Sequence, residues 1–143
     1  MSEQSAKRLA HAKAVGDSSD AKYVQTIRSG RHSLLADEPA EDGGKDAGPS
    51  PRDYVMCGLG ACTSMTLRIY AERKGWQLGI VNVEVELREA NGSPRIERGV
   101  SISAHLTESQ LARLAEICER TPVTLLLKRG MEISTSLRSI RSD

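Results

Sequence analysis

The sequence predicts an α+β fold in which a mainly antiparallel sheet wraps around one long central helix, and three observations carry that expectation. The stretch from Pro51 to Lys74 has helix start and stop signals at its ends. Two runs, Val81 to Leu87 and Val100 to His105, alternate apolar and polar residues on either side of an Asn91-Gly92 turn signal. The order of elements is strands, helix, strands, helix, strand, which suits local hairpins and not a parallel βαβ sheet.

The long helix organises the rest. Ser50 with Asp53 has capping-box spacing, and Pro51 has the fixed φ suited to a first helical position. Arg68, Arg73 and Lys74 place positive charge at the negative end of the macrodipole, and Gly75 suits a left-handed stop. From Tyr54 to Thr66 no side chain is charged, so such a helix should be buried on most sides. Arg52, Asp53 and Arg68 leave only about 14 weakly apolar residues between them, against the ~20 strongly apolar ones a bilayer requires. Gly58 and Gly60 each cost about 0.5–1 kcal/mol relative to Ala inside a helix, which predicts close packing or a bend there.

Residues 1–21 lack apolar periodicity and read as a flexible lead-in to a single domain over 22–143. Tyr23, Val24 and Ile27 begin a strand, Ser29-Gly30 is a turn signal, and His32, Leu34 and Leu35 continue as its partner. Asp37 to Ser50 is rich in Asp, Glu, Gly and Pro, a long connection of the kind that borders sites. After the two alternating runs, Thr107 and Gln110 repeat the capping box, and Leu111, Leu114, Ala115 and Cys118 share a helical face up to about Arg120. Thr121-Pro122 opens a short turn through Leu127, Gly130 ends it, and Met131, Ile133, Thr135 and Leu137 suggest a last strand. A helix apolar on every face, beside a sheet with open edges, calls for a second copy of the chain and hence a homodimer.

Composition excludes several classes. The 143 residues carry a formal charge of +1, no Phe and one Trp, so neither a basic footprint nor a stacking platform for nucleic acid is present. The polar first twenty residues contain no secretory or membrane-spanning run, which makes a cytoplasmic location the expectation. Three cysteines without a C-x-x-C pair argue against a disulfide framework. Cys57 and Cys62 lie about 140° apart around a helix, so they cannot share a metal while it holds. No cofactor is expected.

The runs His32-Ser33-Leu34, Asp37-Glu38-Pro39, Gly43-Gly44, Gly48-Pro49-Ser50-Pro51, Leu59-Gly60-Ala61-Cys62-Thr63-Ser64-Met65-Thr66-Leu67 and Tyr70-Ala71-Glu72-Arg73-Lys74-Gly75-Trp76, with Thr121-Pro122-Val123 beyond them, resemble the OsmC/Ohr family. The resemblance runs from about Tyr23 to Leu137 and is to the OsmC-like branch more than to Ohr itself. It implies an intertwined α+β homodimer. It also implies chemistry, because peroxidases of the family reduce organic hydroperoxides with an attacking cysteine on the central helix and a second, resolving cysteine. A small dithiol or a lipoylated protein then restores the pair.

Cys62 matches the attacking position. A free thiol has a pKa of about 8.5, so a neighbouring cation is needed to raise the thiolate share at neutral pH. The family's Arg falls on Arg28 or Arg31, and its Glu after the helix-starting Pro is replaced here by Arg52. Thr121 stands where the resolving cysteine would be, and Thr121 is also a good N-cap. Cys118, one turn and about 4.5 Å of rise earlier, is either a displaced resolver or ordinary core. Cys57 is a partner only if the Gly58–Gly60 region unwinds. Two functions follow. One is thiol-dependent reduction of a small hydroperoxide, with Cys118 or an external dithiol or lipoylated reductant as resolver. The other is non-catalytic binding of a small apolar or electrophilic ligand at the dimer-interface pocket.

Overall fold

The computed structural model describes residues 6–20 and 22–140. Its contacts divide the chain into two compact units, 1–56 and 57–143. In the first, β1 (Lys13–Val15), β2 (Gln25–Ser29) and β3 (His32–Ala36) form an antiparallel sheet in that order. The β2–β3 hairpin is the expected one, closed at Gly30 with φ 59°. Strand β1 lies inside the expected lead-in and is exposed at all three residues, so it has no apolar alternation to announce it. Residues 1–5 and 21 of that lead-in lie outside the described residues.

Asp37 organises the long connection after β3. Its carboxylate is almost fully buried and accepts N–H bonds from Glu38 (2.8 Å), Lys45 (3.1 Å) and Ala47 (3.0 Å). The Ala47 N–H, against the opposing effect of burial, leads in holding this carboxyl below the usual carboxylate range. The loop closes tightly: a Cβ on Gly44 would sit 1.9 Å from the Glu38 carbonyl oxygen, and one on Gly48 2.4 Å from that of Leu35.

Helix α1 (Pro51–Lys74) has the predicted bounds. Ser50 and Asp53 form the reciprocal cap, with Asp53 N–H donating to Ser50 Oγ and Ser50 N–H to Asp53 Oδ2, both 3.2 Å. At the other end Gly75, φ 72°, donates to the Glu72 carbonyl while Trp76 N–H reaches that of Ala71 at 2.8 Å, a Schellman stop.

In the second unit β4 (Val81–Ala90) and β5 (Ser93–Ile102) form an antiparallel hairpin through Asn91 (φ 55°) and Gly92 (φ 75°), as their dipeptide predicts. Helix α2 (Glu108–Cys118) carries the expected Thr107–Gln110 capping box, and Thr121 caps α3 (Pro122–Arg129). The core is Leu67, Ala71, Leu78 and Leu114, with Trp76, Val81, Val100, Ile102, Ile117 and Cys118 packed against it.

Several expectations are corrected. Helix α1 buries only the i, i+4 stripe Leu59, Thr63, Leu67 and Ala71 within its own chain, and Met65 and Ile69 stay 62% and 51% exposed. A Cβ on Gly60 would meet Val85 at ordinary contact distance (3.5 Å), but among the described residues nothing would lie within 4 Å of one on Gly58. Residues 131–140 form no strand: their alternation pairs with neither sheet, although both sheets keep unpaired edge strands among the described residues. His105 lies in the loop after β5. Leu111 is half exposed, since the face of α2 that packs inward is Leu114, Ile117 and Cys118.

Candidate functional site

Cys62 projects from the border of the buried α1 stripe. It is half-buried, a free thiol, and its Sγ lies 3.9 Å from Thr66 Oγ1 one turn on. Thr63, the next residue, is fully buried and donates to the Leu59 carbonyl at 2.7 Å. That leaves the lone pairs of its hydroxyl facing the β4–β5 sheet.

Arg98 fills that place. It lies on β5 opposite Val85, and its side chain is only 13% exposed. Its Nη1 donates to Thr63 Oγ1 (3.0 Å) and Thr124 Oγ1 (2.8 Å), and its Nη2 to the Cys118 carbonyl (2.8 Å). Glu119 adds an ion pair at 3.7 Å and also binds Lys128. One guanidinium thereby joins α1, β5, α2 and α3 and satisfies a carbonyl at the negative end of α2. Two small cavities flank it. One of about 240 Å³ is walled by Leu59, Ile96, Leu127 and Lys128, and one of about 270 Å³ by Leu67, Leu111, Leu114 and Cys118.

Cys118 ends α2 against Leu114 in the core. Burial chiefly raises its pKa, Arg98 opposes this, and Glu119 adds to it. Its thiol is accordingly held protonated at neutral pH. Cys57 is exposed and free. Thr121 is buried, accepts from the Thr124 N–H at 3.3 Å and shares a 2.6 Å hydroxyl contact with Thr124. In the first unit, Arg28 lies exposed on β2 and Arg31 exposed in the turn that follows it.

Arg98 was not among the predicted site residues, although the sequence held a signal for it. Ile96, Arg98, Val100 and Ile102 share one parity of β5, so an arginine stands among residues that face inward. Among the described residues no three His, Cys, Asp or Glu side chains gather as a metal site, and no helix is long and apolar enough to cross a membrane.

A buried strand arginine tied to a helix that bears a half-buried cysteine is a feature to set beside known folds. The OsmC-like protein family matches residues 43–136, and the chain belongs to that family. No curated protein sequence matches significantly. Among solved structures, the chain is similar to an OsmC-like protein from Mycoplasma pneumoniae, with TM-score 0.71 and 17% identity over 86% of this chain and 89% of that one. It is similar to a putative osmotic stress induced and detoxification response protein from Psychrobacter arcticus, with TM-score 0.70 and 15% identity over 83% and 88%. It is also similar to an organic hydroperoxide resistance protein OsmC from Legionella pneumophila, with TM-score 0.63 and 21% identity over 87% and 92%.

Proposed function

We propose that this chain is a thiol-dependent organic hydroperoxide reductase with Cys62 as its nucleophile. The observation that supports it most is a free, half-buried cysteine on α1 whose neighbour, Thr63, binds the buried Arg98. Family membership and the hydroperoxide-resistance name of a structural neighbour support the reaction class.

The Cys62 thiolate attacks the distal peroxide oxygen, the O–O bond breaks, and the leaving alkoxide takes a proton to become an alcohol. Cys62 is left as a sulfenic acid, which a thiol condenses to a disulfide with loss of water. Cys118 is a weak candidate for that thiol, because it is core-packed and held protonated. An external thiol is the better resolver. Arg28 or Arg31 is the cation proposed to hold Cys62 ionised, with Arg98 fixing the helix beneath it.

The working unit is a homodimer of single domains over 22–143, since α1 runs unbroken across residue 56 and leaves Met65 and Ile69 uncovered in one chain. A cytoplasmic location fits a cysteine that must return to its reduced form. A second reading, binding of a small apolar or electrophilic molecule without turnover, is favoured by the partly apolar cavities on both sides of Arg98.

Turnover separates the two. With cumene hydroperoxide and excess dithiothreitol, the protein should consume peroxide catalytically and Cys62→Ser should not. Peroxide consumption at the protein-free rate would leave only the binding reading.

A further inference from the structure

One turn beyond Cys62, α1 lines a third pocket. Its volume is about 290 Å³, and three arginines reach it: Arg73 from α1, Arg113 from α2 and Arg120 just after α2. Thr66, Ile69, Tyr70 and Ile117 complete the wall. Arg113 is fixed there. Its Nε donates to the Tyr70 hydroxyl at 2.9 Å, its guanidinium lies 5.4 Å from the centre of the Tyr70 ring, and Glu116 takes its Nη1 at 2.7 Å. Lys74 adds charge over the same ring at 5.8 Å. Among the described residues Arg73 and Arg120 have no carboxylate within ion-pair distance. Glu116 offsets one of the three charges, and two guanidiniums remain for a ligand. Planar guanidiniums of this kind pair with carboxylates through two parallel bonds.

Thr66 belongs both to this wall and to the contact with Cys62 Sγ. Helical rise puts Thr66 about 6 Å and Tyr70 about 12 Å along the axis from Cys62. An anion held by the arginines therefore lies several bonds from an atom that could reach the Cys62 sulfur. Cys57, about 140° away around the same helix, cannot supply a second thiol, and Cys118 is packed in the core.

We infer that the Arg73–Arg113–Arg120 pocket anchors the carboxylates of a small acidic peptide thiol, which resolves oxidised Cys62. This rests on the peroxidase reading above and names its reductant class. The ligand thiol attacks the sulfenic sulfur, an S–S bond forms, the S–O bond breaks, and water leaves with the thiol proton. A second molecule of the thiol attacks the mixed disulfide and releases Cys62 as thiolate, so two thiols become one free disulfide and supply two electrons.

The test bypasses the peroxide, so that it can fail independently of the peroxidase reading. The full chain is converted to its thiopyridyl mixed disulfides, and loss of the label from the Cys62 peptide is followed by mass spectrometry. The attacking thiol is glutathione or its diethyl ester, which has the same sulfur but no carboxylates. Glutathione should react about three- to tenfold faster, the range two partly exposed ion pairs supply, and added salt should shrink the advantage. Arg73→Gln with Arg120→Gln, both at exposed positions, should erase it. Equal rates for the two thiols, or an advantage that survives the double substitution, would overturn the anchor. A chain that keeps the advantage but forms no sulfenic acid with hydroperoxide would leave the anchor standing and remove the peroxidase reading instead.

Discussion

Arg98 on β5 donates a 3.0 Å hydrogen bond to Thr63 on α1, the residue that directly follows Cys62. The cysteine is thereby fixed from below by a nearly buried cation whose other bonds run to Thr124 and the end of α2. Several consequences can be measured.

Arg98→Met should destabilise the fold by about 2–4 kcal/mol, because it strips charge-assisted bonds and leaves buried acceptors unpaired. Arg98→Lys should recover only part of this, since an ammonium cannot span three acceptors as a planar fork does. Urea unfolding of the two variants gives both numbers.

Thr63→Val preserves shape but deletes the acceptor for Arg98, and should cost about 1–3 kcal/mol. Combined with Thr124→Val, the loss should fall short of the sum, because both hydroxyls serve one guanidinium. A double-mutant cycle reads the coupling directly.

Asp37 sets an acid limit. Its carboxyl is held below the usual value in the folded chain, so its contribution is present above about pH 4 and is lost as pH falls through the folded value. Asp37→Asn should be less stable at neutral pH and should flatten that acid slope in thermal melts.

Cys118 acts in the opposite direction. Burial raises its pKa, so its contribution is complete below about pH 8.5 and declines as pH rises toward the folded value. Cys118→Ala should remove this alkaline slope. In the native protein iodoacetamide should modify core-packed Cys118 last of the three.

If α1 completes its burial against a second copy, Met65→Lys should shift sedimentation from dimer to monomer. In a chain that works alone, the same change at a side chain 62% exposed should be neutral.

Much of this architecture was legible because its signals are local. The Ser50–Asp53 cap, the Gly75 stop, the Asn91-Gly92 hairpin and the Thr107–Gln110 box each depend on residues within a few positions of one another. What stayed hidden depends on distant partners. The three residues of β1 pair without any apolar face, and the Met131–Leu137 alternation has the pattern of a strand but pairs with neither sheet. The site divides in the same way. Cys62 stood out through its surrounding run, whereas Arg98 becomes meaningful only when β5 folds over Thr63, 35 residues away in sequence.

The central claim concerns which sulfur reacts. The most direct measurement exposes the reduced chain to one equivalent of cumene hydroperoxide in the presence of dimedone and maps the adduct by mass spectrometry. A dimedone adduct on Cys62 ahead of Cys57 and Cys118 is the predicted result. An adduct on the more exposed Cys57 alone, or on no cysteine, would contradict it.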